Sequence, residues 1–204
     1  APSTRYAMGR QHNRLNAAPM PAKVAGVTQI RDPIHGTIVL DERERVIVDS
    51  PFFQRLRSVR QLGFSDLAFP GANHTRYAHA LGAAHLAGRI FDAIFDRLPH
   101  VGPADRSRLR AALRAAVLLH DLGHAPFSHA SESIMPPRAR LRLPAWVTGG
   151  NDAGQANHED FTLKLLLDSE LTELLRAAFG PIDLTPEAIA SLVAGAPAPG
   201  GPAY

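Results

Sequence analysis

The sequence predicts a mainly α-helical fold with a small N-terminal β-hairpin. Beyond residue 42, apolar residues recur near the 3.6-residue period of an α-helix, and several of these stretches begin behind a Ser, Thr, Asp or Asn that can serve as an N-cap. Two β-prone runs, Val27–Ile30 and Thr37–Leu40, flank a turn-forming segment at Asp32–Gly36 and indicate the hairpin.

The first predicted helices are short and follow the hairpin directly. Glu42–Val48 is expected to form a helix behind the N-cap Asp41. Pro51 starts a second helix that runs to about Leu62, just before a glycine that can end it.

The later helices are predicted from apolar stripes and from the residues that interrupt them. They are expected from about Thr75 to Leu98, from Pro103 to about Leu122, from His158 to Phe179 and from Thr185 to about Val193. Residues 133–156 lack helical periodicity and contain Pro and Gly pairs, so a loop or a mobile insertion is expected there.

The charge distribution suggests how the 204 residues are organised. Residues 1–26 are predicted to be a flexible basic arm, residues 27–193 the folded domain, and residues 194–204 an irregular tail. The first 31 residues contain five basic side chains and no acid, which fits either a solvated tail or an arm that binds a polyanion or a partner subunit. The net charge of +3 is too small to indicate a nucleic-acid-binding protein by itself, so nucleic acid stays an open partner.

Composition excludes several classes of chemistry and location. The chain has no cysteine, which removes disulfides, cysteine zinc sites and thiol catalysis. No apolar run approaches the roughly 20 residues that a membrane span needs. The first 27 residues are basic and polar without the apolar core of a signal peptide, so a cytoplasmic location without a membrane partner is expected.

A histidine and a His-Asp pair are the candidate metal ligands. His120 and Asp121 are adjacent at the C-terminal end of an apolar helix, where burying both is costly unless a partner compensates them. A divalent cation binds an imidazole and a carboxylate together, and His79 supplies a third ligand if the two long helices pack antiparallel. The alternative is that these histidines are purely structural.

Several motifs in a fixed order resemble a known family. His79 followed by His120-Asp121 resembles the HD-domain superfamily of metal-dependent phosphohydrolases. The neighbouring motifs resemble its dNTP triphosphohydrolases, which include the bacterial dGTPases and the animal enzymes with a sterile-alpha-motif domain. In order, these motifs are Asp32–Gly36, Phe53–Arg57, Gln61–Gly63, Phe69–Ala72, Arg76–Gly82 and His120–His129. The resemblance covers about Gln29 to Leu175 and implies an HD-domain helical bundle.

The resemblance also implies a role for each matching position. The implied metal ligands are His79, His120 and Asp121, which would hold Mn, Fe, Mg, Ni or Zn. The implied substrate contacts are Arg76 to a phosphate, Gln61 to the sugar with Leu62 beside it, and His124 near the α-phosphate. The implied catalytic residues are His129, His124, His158 and Glu132, with His129 as the proton donor to the leaving 5′-oxygen.

The chain departs from the family's pattern at the fourth metal ligand. That ligand is an aspartate in a later Asp-rich helix, and neither Asp168 nor Asp183 has this context. We therefore expect the fourth ligand beyond Tyr204 and expect the chain to be an N-terminal fragment.

A nucleotide-activator site is only partly matched. Asp49, Gln54 and Arg57 match residues that bind a guanine-nucleotide activator in the animal enzymes, but Arg31 replaces an asparagine of that site. Activation stays open, because Arg57 also fits a helix-surface arginine.

The resemblance implies an enzyme that hydrolyses dNTPs to a deoxynucleoside and inorganic triphosphate with a divalent metal, as a homo-oligomer. Two alternatives stay open. One is an HD-domain phosphohydrolase that acts on another nucleotide or on a phosphodiester, and the other is a non-catalytic HD module that binds a nucleotide or nucleic acid.

Overall fold

The computed structural model describes residues 26–95 and 101–199. Its strands and helices are β1 Val27–Asp32, β2 Gly36–Asp41, α1 Glu42–Val48, α2 Pro51–Gln54, α3 Arg76–Phe95, α4 Pro103–Leu119, α5 Ala145–Thr148, α6 His158–Leu167, α7 Glu170–Phe179 and α8 Pro186–Ala194. The predicted mainly helical fold with a small hairpin is therefore confirmed. Within the described ranges, no helix is both long enough and apolar enough to cross a membrane.

The division into arm, domain and tail stays a prediction. Residues 1–25 of the predicted arm and residues 200–204 of the predicted tail lie outside the described residues. The same holds for residues 96–98, where the sequence predicts the end of α3.

The hairpin forms where the sequence predicts it. The Oδ1 atom of Asp32 accepts hydrogen bonds from two following backbone N–H groups, at 2.9 and 2.8 Å. Gly36 then adopts a φ of +74°, a conformation that a residue without Cβ reaches at no steric cost. Ile38 and Leu40 of β2 are buried, so one face of the hairpin covers the core.

Side-chain caps explain where most helices begin. Asp41, Asn157 and Ser169 each accept a hydrogen bond from a backbone N–H in the first turn of α1, α6 and α7, and each belongs to a capping box. Thr185 caps α8 in the same way, without the reciprocal bond of a box. A cap of this kind stabilises a helix by about 1 kcal/mol, because it satisfies a backbone donor that has no partner within the helix.

The prediction of one helix from Pro51 to Leu62 is wrong. After α2 the chain tightens into a 3₁₀ turn at Arg55–Ser58, and Val59 is extended. The Val59 carbonyl accepts a hydrogen bond from the Arg76 N–H at 2.8 Å, which ties this segment to the start of α3. That long-range bond replaces the local helical one.

Two further boundaries differ from the prediction. The helix predicted from His158 to Phe179 consists of α6 and α7, because Asp168 leaves the helical conformation and Ser169 caps a new helix. Similarly, α4 ends at Leu119 instead of Leu122, and the following residues turn.

The segment predicted to be a loop or mobile insertion, residues 133–156, contains short helical pieces. They include the 3₁₀ turn Arg138–Leu141 and α5. Leu141 and Leu143 are buried in the core, and Arg138 Nε donates to Asp160 of α6 at 3.0 Å. Packing and an ion pair thus hold the segment against the helices.

The packing of α3 against α4 brings His79 of α3 close to His120 and Asp121 at the end of α4. Small residues of α3, among them Ala80, Ala84 and Gly88, are buried and allow close approach of the two helices. The start of α3 therefore lies beside the end of α4. Large buried side chains from α2, α4, α6, α7 and α8 fill the core, namely Phe53, Leu118, Leu119, Leu166, Leu171, Leu175, Phe179 and Ile189.

A buried ion pair joins α1 to α4. Arg114 Nε donates to Glu44 Oε1 at 2.6 Å and Arg114 Nη2 donates to Glu44 Oε2 at 2.9 Å. The same guanidinium donates to the backbone carbonyls of Ala84 in α3 and Val39 in β2, each at 3.1 Å. One side chain thus connects four elements.

We expect Arg114→Ala to reduce the free energy of unfolding by about 3–5 kcal/mol, because Glu44 would remain buried without its counter-charge. Urea unfolding measures this loss. Arg176→Ala breaks only exposed pairs, with Glu173 and Glu187, and is the matched control, with an expected change below about 1 kcal/mol. Equal effects of the two variants would contradict the prediction.

Candidate active site

The start of α3 and the end of α4 bring His79, His120 and Asp121 together; we call these residues the metal-ligand cluster. His79 Nε2 lies 3.7 Å from Asp121 Oδ2, and His120 Nε2 lies 3.3 Å from Asp121 Oδ1. The centroids of the two imidazole rings are 5.4 Å apart, with their planes inclined by 65°. The structure thus assembles all three residues that the sequence suggests as ligands.

The donor atoms of this cluster suit a divalent cation. Ligand atoms about 2.1 Å from a metal are roughly 3.0–3.5 Å from one another, which is close to the spacing here. His120 Nδ1 lies 2.7 Å from the Val117 carbonyl oxygen, so this nitrogen carries the proton and Nε2 keeps its lone pair for a metal. Imidazole and carboxylate ligands fit several first-row metals.

Asp121 is buried and ion-paired with Arg76. Arg76 Nη1 donates to Asp121 Oδ2 at 2.5 Å, while Arg76 Nη2 donates to the Ser128 hydroxyl and, at 3.2 Å, to the Gln61 carbonyl. Burial by itself would raise the pKa of Asp121, but the electrostatic influence of the neighbouring His120, Arg76 and His124, together with the hydrogen bond from Arg76, outweighs it, and the pKa lies below its usual value. The sequence predicts a phosphate contact for Arg76, whereas its terminal nitrogens here bind protein groups.

A second group, the histidine cluster, consists of His124, His129, His158 and Glu132. The Nδ1 atoms of His158 and His129 lie 2.5 and 3.2 Å from the same oxygen, Glu132 Oε1. Burial opposes ionisation of Glu132, but the hydrogen bonds from the side chain and backbone of His158 and from His129 together outweigh it and lower the pKa of this carboxyl group. An ionised carboxylate only accepts hydrogen bonds, so both Nδ1 atoms carry protons.

His124 connects the two clusters. Its side chain is 1% exposed, its ring stacks on that of His158 at 3.8 Å and 14°, and its Nε2 lies 3.6 Å from Asp121 Oδ1. Burial, reinforced by the charge of Arg76, lowers the pKa of His124 to about 3, so this imidazole is neutral. The rings of His124 and His158 are nearly parallel, so the lone pairs of these two rings do not converge on one ion between them.

The metal-ligand cluster and the three histidines of the histidine cluster line one cavity of about 420 Å³. Gln61 and Leu62, the predicted sugar-side contacts, also line it. Three buried polar atoms of its wall, Gln61 Oε1, Arg76 Nε and His124 Nδ1, have no hydrogen-bond partner within the described residues.

Arg55 and Thr162 hold the turn after α4 in place, and the sequence analysis did not predict either as a site residue. Arg55 donates to two backbone carbonyls of the turn, including that of His124 at 2.7 Å. The buried Thr162 hydroxyl accepts a hydrogen bond from Gly123 N–H at 2.8 Å and donates to another carbonyl of the turn at 3.0 Å. The only sequence signal was the motif around Arg55; Thr162 had none.

Neither aspartate weighed as a fourth ligand belongs to the metal-ligand cluster. Asp168 follows α6, ten residues and about 15 Å along the helix from His158, and its side chain is 75% exposed and paired with Lys164. Asp183 lies in the turn after α7. The position of the fourth ligand therefore stays a prediction.

The predicted activator residues lie outside the lining of this cavity, and two of them contact each other. Gln54 Oε1 accepts a hydrogen bond from Arg57 Nε at 2.7 Å, and the Arg57 guanidinium lies 3.7 Å from the centre of the Tyr77 ring. Asp49 instead accepts a hydrogen bond from Arg45 at 2.9 Å. Binding of a nucleotide there stays a prediction.

Comparison with known proteins identifies the class of this fold and site. Residues 76–195 match the family model described as the HD domain, which includes the two clusters. The chain therefore belongs to the HD-domain family.

Similar proteins point to one group within this family. The deoxynucleoside triphosphate triphosphohydrolase SAMHD1 of Bos taurus is 42% identical over 114 residues, which are 56% of this chain and 19% of that protein. The SAMHD1 homolog of Dictyostelium discoideum is 36% identical over 137 residues, or 67% of this chain and 24% of that protein. The predicted resemblance is thus confirmed, and the chain spans about a fifth to a quarter of these relatives.

A solved structure is similar over a larger share of the chain. The crystal structure of a hypothetical protein from Aquifex aeolicus is 31% identical, covers 83% of this chain and 38% of that chain, and has a TM-score of 0.57. The similarity therefore extends beyond the two clusters to most of the fold.

We expect Gly123→Ala to disrupt the site, because the added Cβ would lie 1.9 Å from the His158 carbonyl oxygen and 2.4 Å from the Thr162 nitrogen. Displacing α6 should destabilise the protein by about 1–3 kcal/mol or more and reduce metal binding. Thermal unfolding and metal content measure both effects.

Gly180→Ala is the control, since no atom lies within 4 Å of its added Cβ and its φ of −51° suits alanine. Wild-type stability of Gly123→Ala would contradict the predicted close approach of α6.

Proposed function

We propose that the protein is a metal-dependent phosphohydrolase that converts a dNTP into a deoxynucleoside and inorganic triphosphate. The observation that supports this proposal most is one cavity lined by the metal-ligand cluster and by the three imidazoles of the histidine cluster. The similarity to proteins named deoxynucleoside triphosphate triphosphohydrolase supports the choice of substrate. A bound divalent cation would supply Lewis acidity and lower the pKa of water in this cavity.

His129 is the proposed proton donor to the leaving 5′-oxygen. Its side chain is 67% exposed at the cavity, and Glu132 accepts the hydrogen bond from its Nδ1. Nε2 is then the nitrogen that can exchange a proton with a substrate. Glu132 acts as a positioning residue, since it orients the rings of both His129 and His158.

Arg76 is proposed to act mainly on Asp121. Its terminal nitrogens orient the Asp121 carboxylate and donate to Ser128 and Gln61. Its positive charge would also attract a phosphate bound in the cavity. His124, neutral and buried, donates or accepts a hydrogen bond near the α-phosphate. Gln61 and Leu62 are proposed to contact the sugar.

Partners follow from the same proposal. The substrate is a nucleotide, and the resemblance to the dNTP triphosphohydrolases supports self-association and an activator nucleotide near Asp49, Gln54 and Arg57. The metal is one of Mn, Fe, Mg, Ni or Zn, since the imidazole and carboxylate donors accept each of them to a different degree.

We expect His79→Ala and His120→Ala each to lose most of the bound metal after dialysis, because each removes one of three ligands. Elemental analysis of the manganese-loaded protein measures the loss. His74→Ala is the control, because His74 is exposed and does not belong to the metal-ligand cluster. Full metal retention in both cluster variants would refute the assignment.

We expect the manganese-loaded protein to release inorganic triphosphate from dNTPs, and His129→Asn to reduce turnover by about 10²–10⁴-fold without changing the melting temperature. Phosphorus NMR of the products measures both. His74→Asn should retain full turnover.

The products also discriminate the alternatives. A nucleoside monophosphate, or hydrolysis only of a phosphodiester, would indicate an HD phosphohydrolase with another substrate. No turnover at full metal occupancy would indicate a module that binds without catalysis.

A further inference from the structure

One part of the cavity wall differs in chemistry from the clusters. Phe64 and Phe127 both line the cavity, with ring centroids 5.2 Å apart and planes inclined by only 17°. Their side chains are unusually open to solvent for phenylalanine, with 57% and 55% of each residue exposed. Leu62, which is 50% exposed, lines the same cavity. The cavity thus combines charged and imidazole groups with an exposed apolar surface formed by Leu62, Phe64 and Phe127, which we call the ledge.

The backbone fixes this aromatic pair against the site. Gly63 has a φ of +57°, and an added Cβ there would lie 3.5 Å from the Phe127 carbonyl oxygen. The segment that carries Phe64 therefore runs close to the segment between His124 and His129. Gln61, two residues before Gly63, donates from Nε2 to Asp121 Oδ2 at 3.5 Å. The ledge is thus anchored to both clusters.

We infer that Phe64 and Phe127 form a stacking platform for the nucleobase of the substrate. This inference rests on the proposed function, because it assigns the phosphates of the nucleotide to the clusters and the base to the ledge. Planar bases of every kind present a π-face, and aromatic side chains bind such faces with little dependence on sequence. The platform therefore selects triphosphates that carry a base but discriminates weakly between bases.

The spacing of the two rings determines how the base binds. Carbon atoms in contact are about 3.5–4.0 Å apart, so a base inserted between two rings would need about 7 Å between them. The centroids are 5.2 Å apart, which leaves no such gap. The base therefore stacks on the exposed side of the pair, and Phe64 and Phe127 support each other as an offset stack.

The test compares two ligands that share the triphosphate but differ in the base. Stopped-flow fluorescence measures binding of 2-aminopurine deoxyriboside triphosphate to the manganese-loaded protein before turnover, since stacking quenches 2-aminopurine. Competition with this nucleotide measures the affinity for inorganic tripolyphosphate. Phe64→Leu should weaken nucleotide binding about tenfold and reduce the quenching, with unchanged affinity for tripolyphosphate. Phe64→Tyr, which keeps the aromatic ring, should restore both.

Phe69→Leu is the matched control, because Phe69 is 70% exposed but does not line the cavity. It should bind both ligands as the wild-type protein does. Nucleotide binding by Phe64→Leu at the wild-type level, or equal weakening for both ligands, would overturn the platform. Absence of any quenching with the wild-type protein would overturn it as well.

The platform and the proposed function fail in different ways. If the wild-type protein binds and quenches the nucleotide but releases no inorganic triphosphate, the platform stands and the proposed reaction is wrong. If it releases triphosphate and Phe64→Leu retains wild-type KM and quenching, the reaction stands and the platform is wrong.

Discussion

The buried carboxylate of Asp121 imposes the main physical constraint on this structure. A charge removed from water needs partners on every open side, because the desolvation penalty otherwise outweighs any gain. Arg76 provides the opposite charge at 2.5 Å, and the imidazoles of His79, His120 and His124 surround the remaining faces at 3.3–3.7 Å. The start of α3, the end of α4 and the following turn must therefore meet at one point.

That meeting depends on close packing of backbone as much as on side chains. Gly123 allows α6 to approach within a distance that no Cβ would tolerate, and the Thr162 hydroxyl then bonds to the turn on both its donor and acceptor sides. Arg55 donates hydrogen bonds to the carbonyl oxygens of Leu122 and His124, which lie in the turn beyond the end of α4. Since the same turn carries His124, the contact that closes the fold also places the imidazole between the two clusters.

Local signals in the sequence were sufficient for some features and insufficient for others. Helix starts at Glu42 and His158 could be predicted, because a cap is set by residues three positions apart. The interruption after Gln54 could not, because Val59 bonds to the backbone of Arg76, seventeen residues later, instead of continuing the helix. The ligand set could be suggested from residue type and spacing once two helices were assumed to pack. The pairing of Arg76 with Asp121 arises only from the tertiary structure.

The balance of charge in the cavity supports the proposal of a triphosphate ligand. Arg76 offsets Asp121, so the described residues would leave most of the charge of a divalent cation held by the metal-ligand cluster uncompensated. Two imidazole N–H groups donate hydrogen bonds to Glu132, which stabilise its negative charge, and Glu132 does not itself line the cavity. His124 contributes no charge, because burial keeps it neutral. Within the described residues, the loaded metal-ligand cluster together with Arg76 is therefore net positive, and a low-dielectric concave wall of that sign concentrates negatively charged ligands.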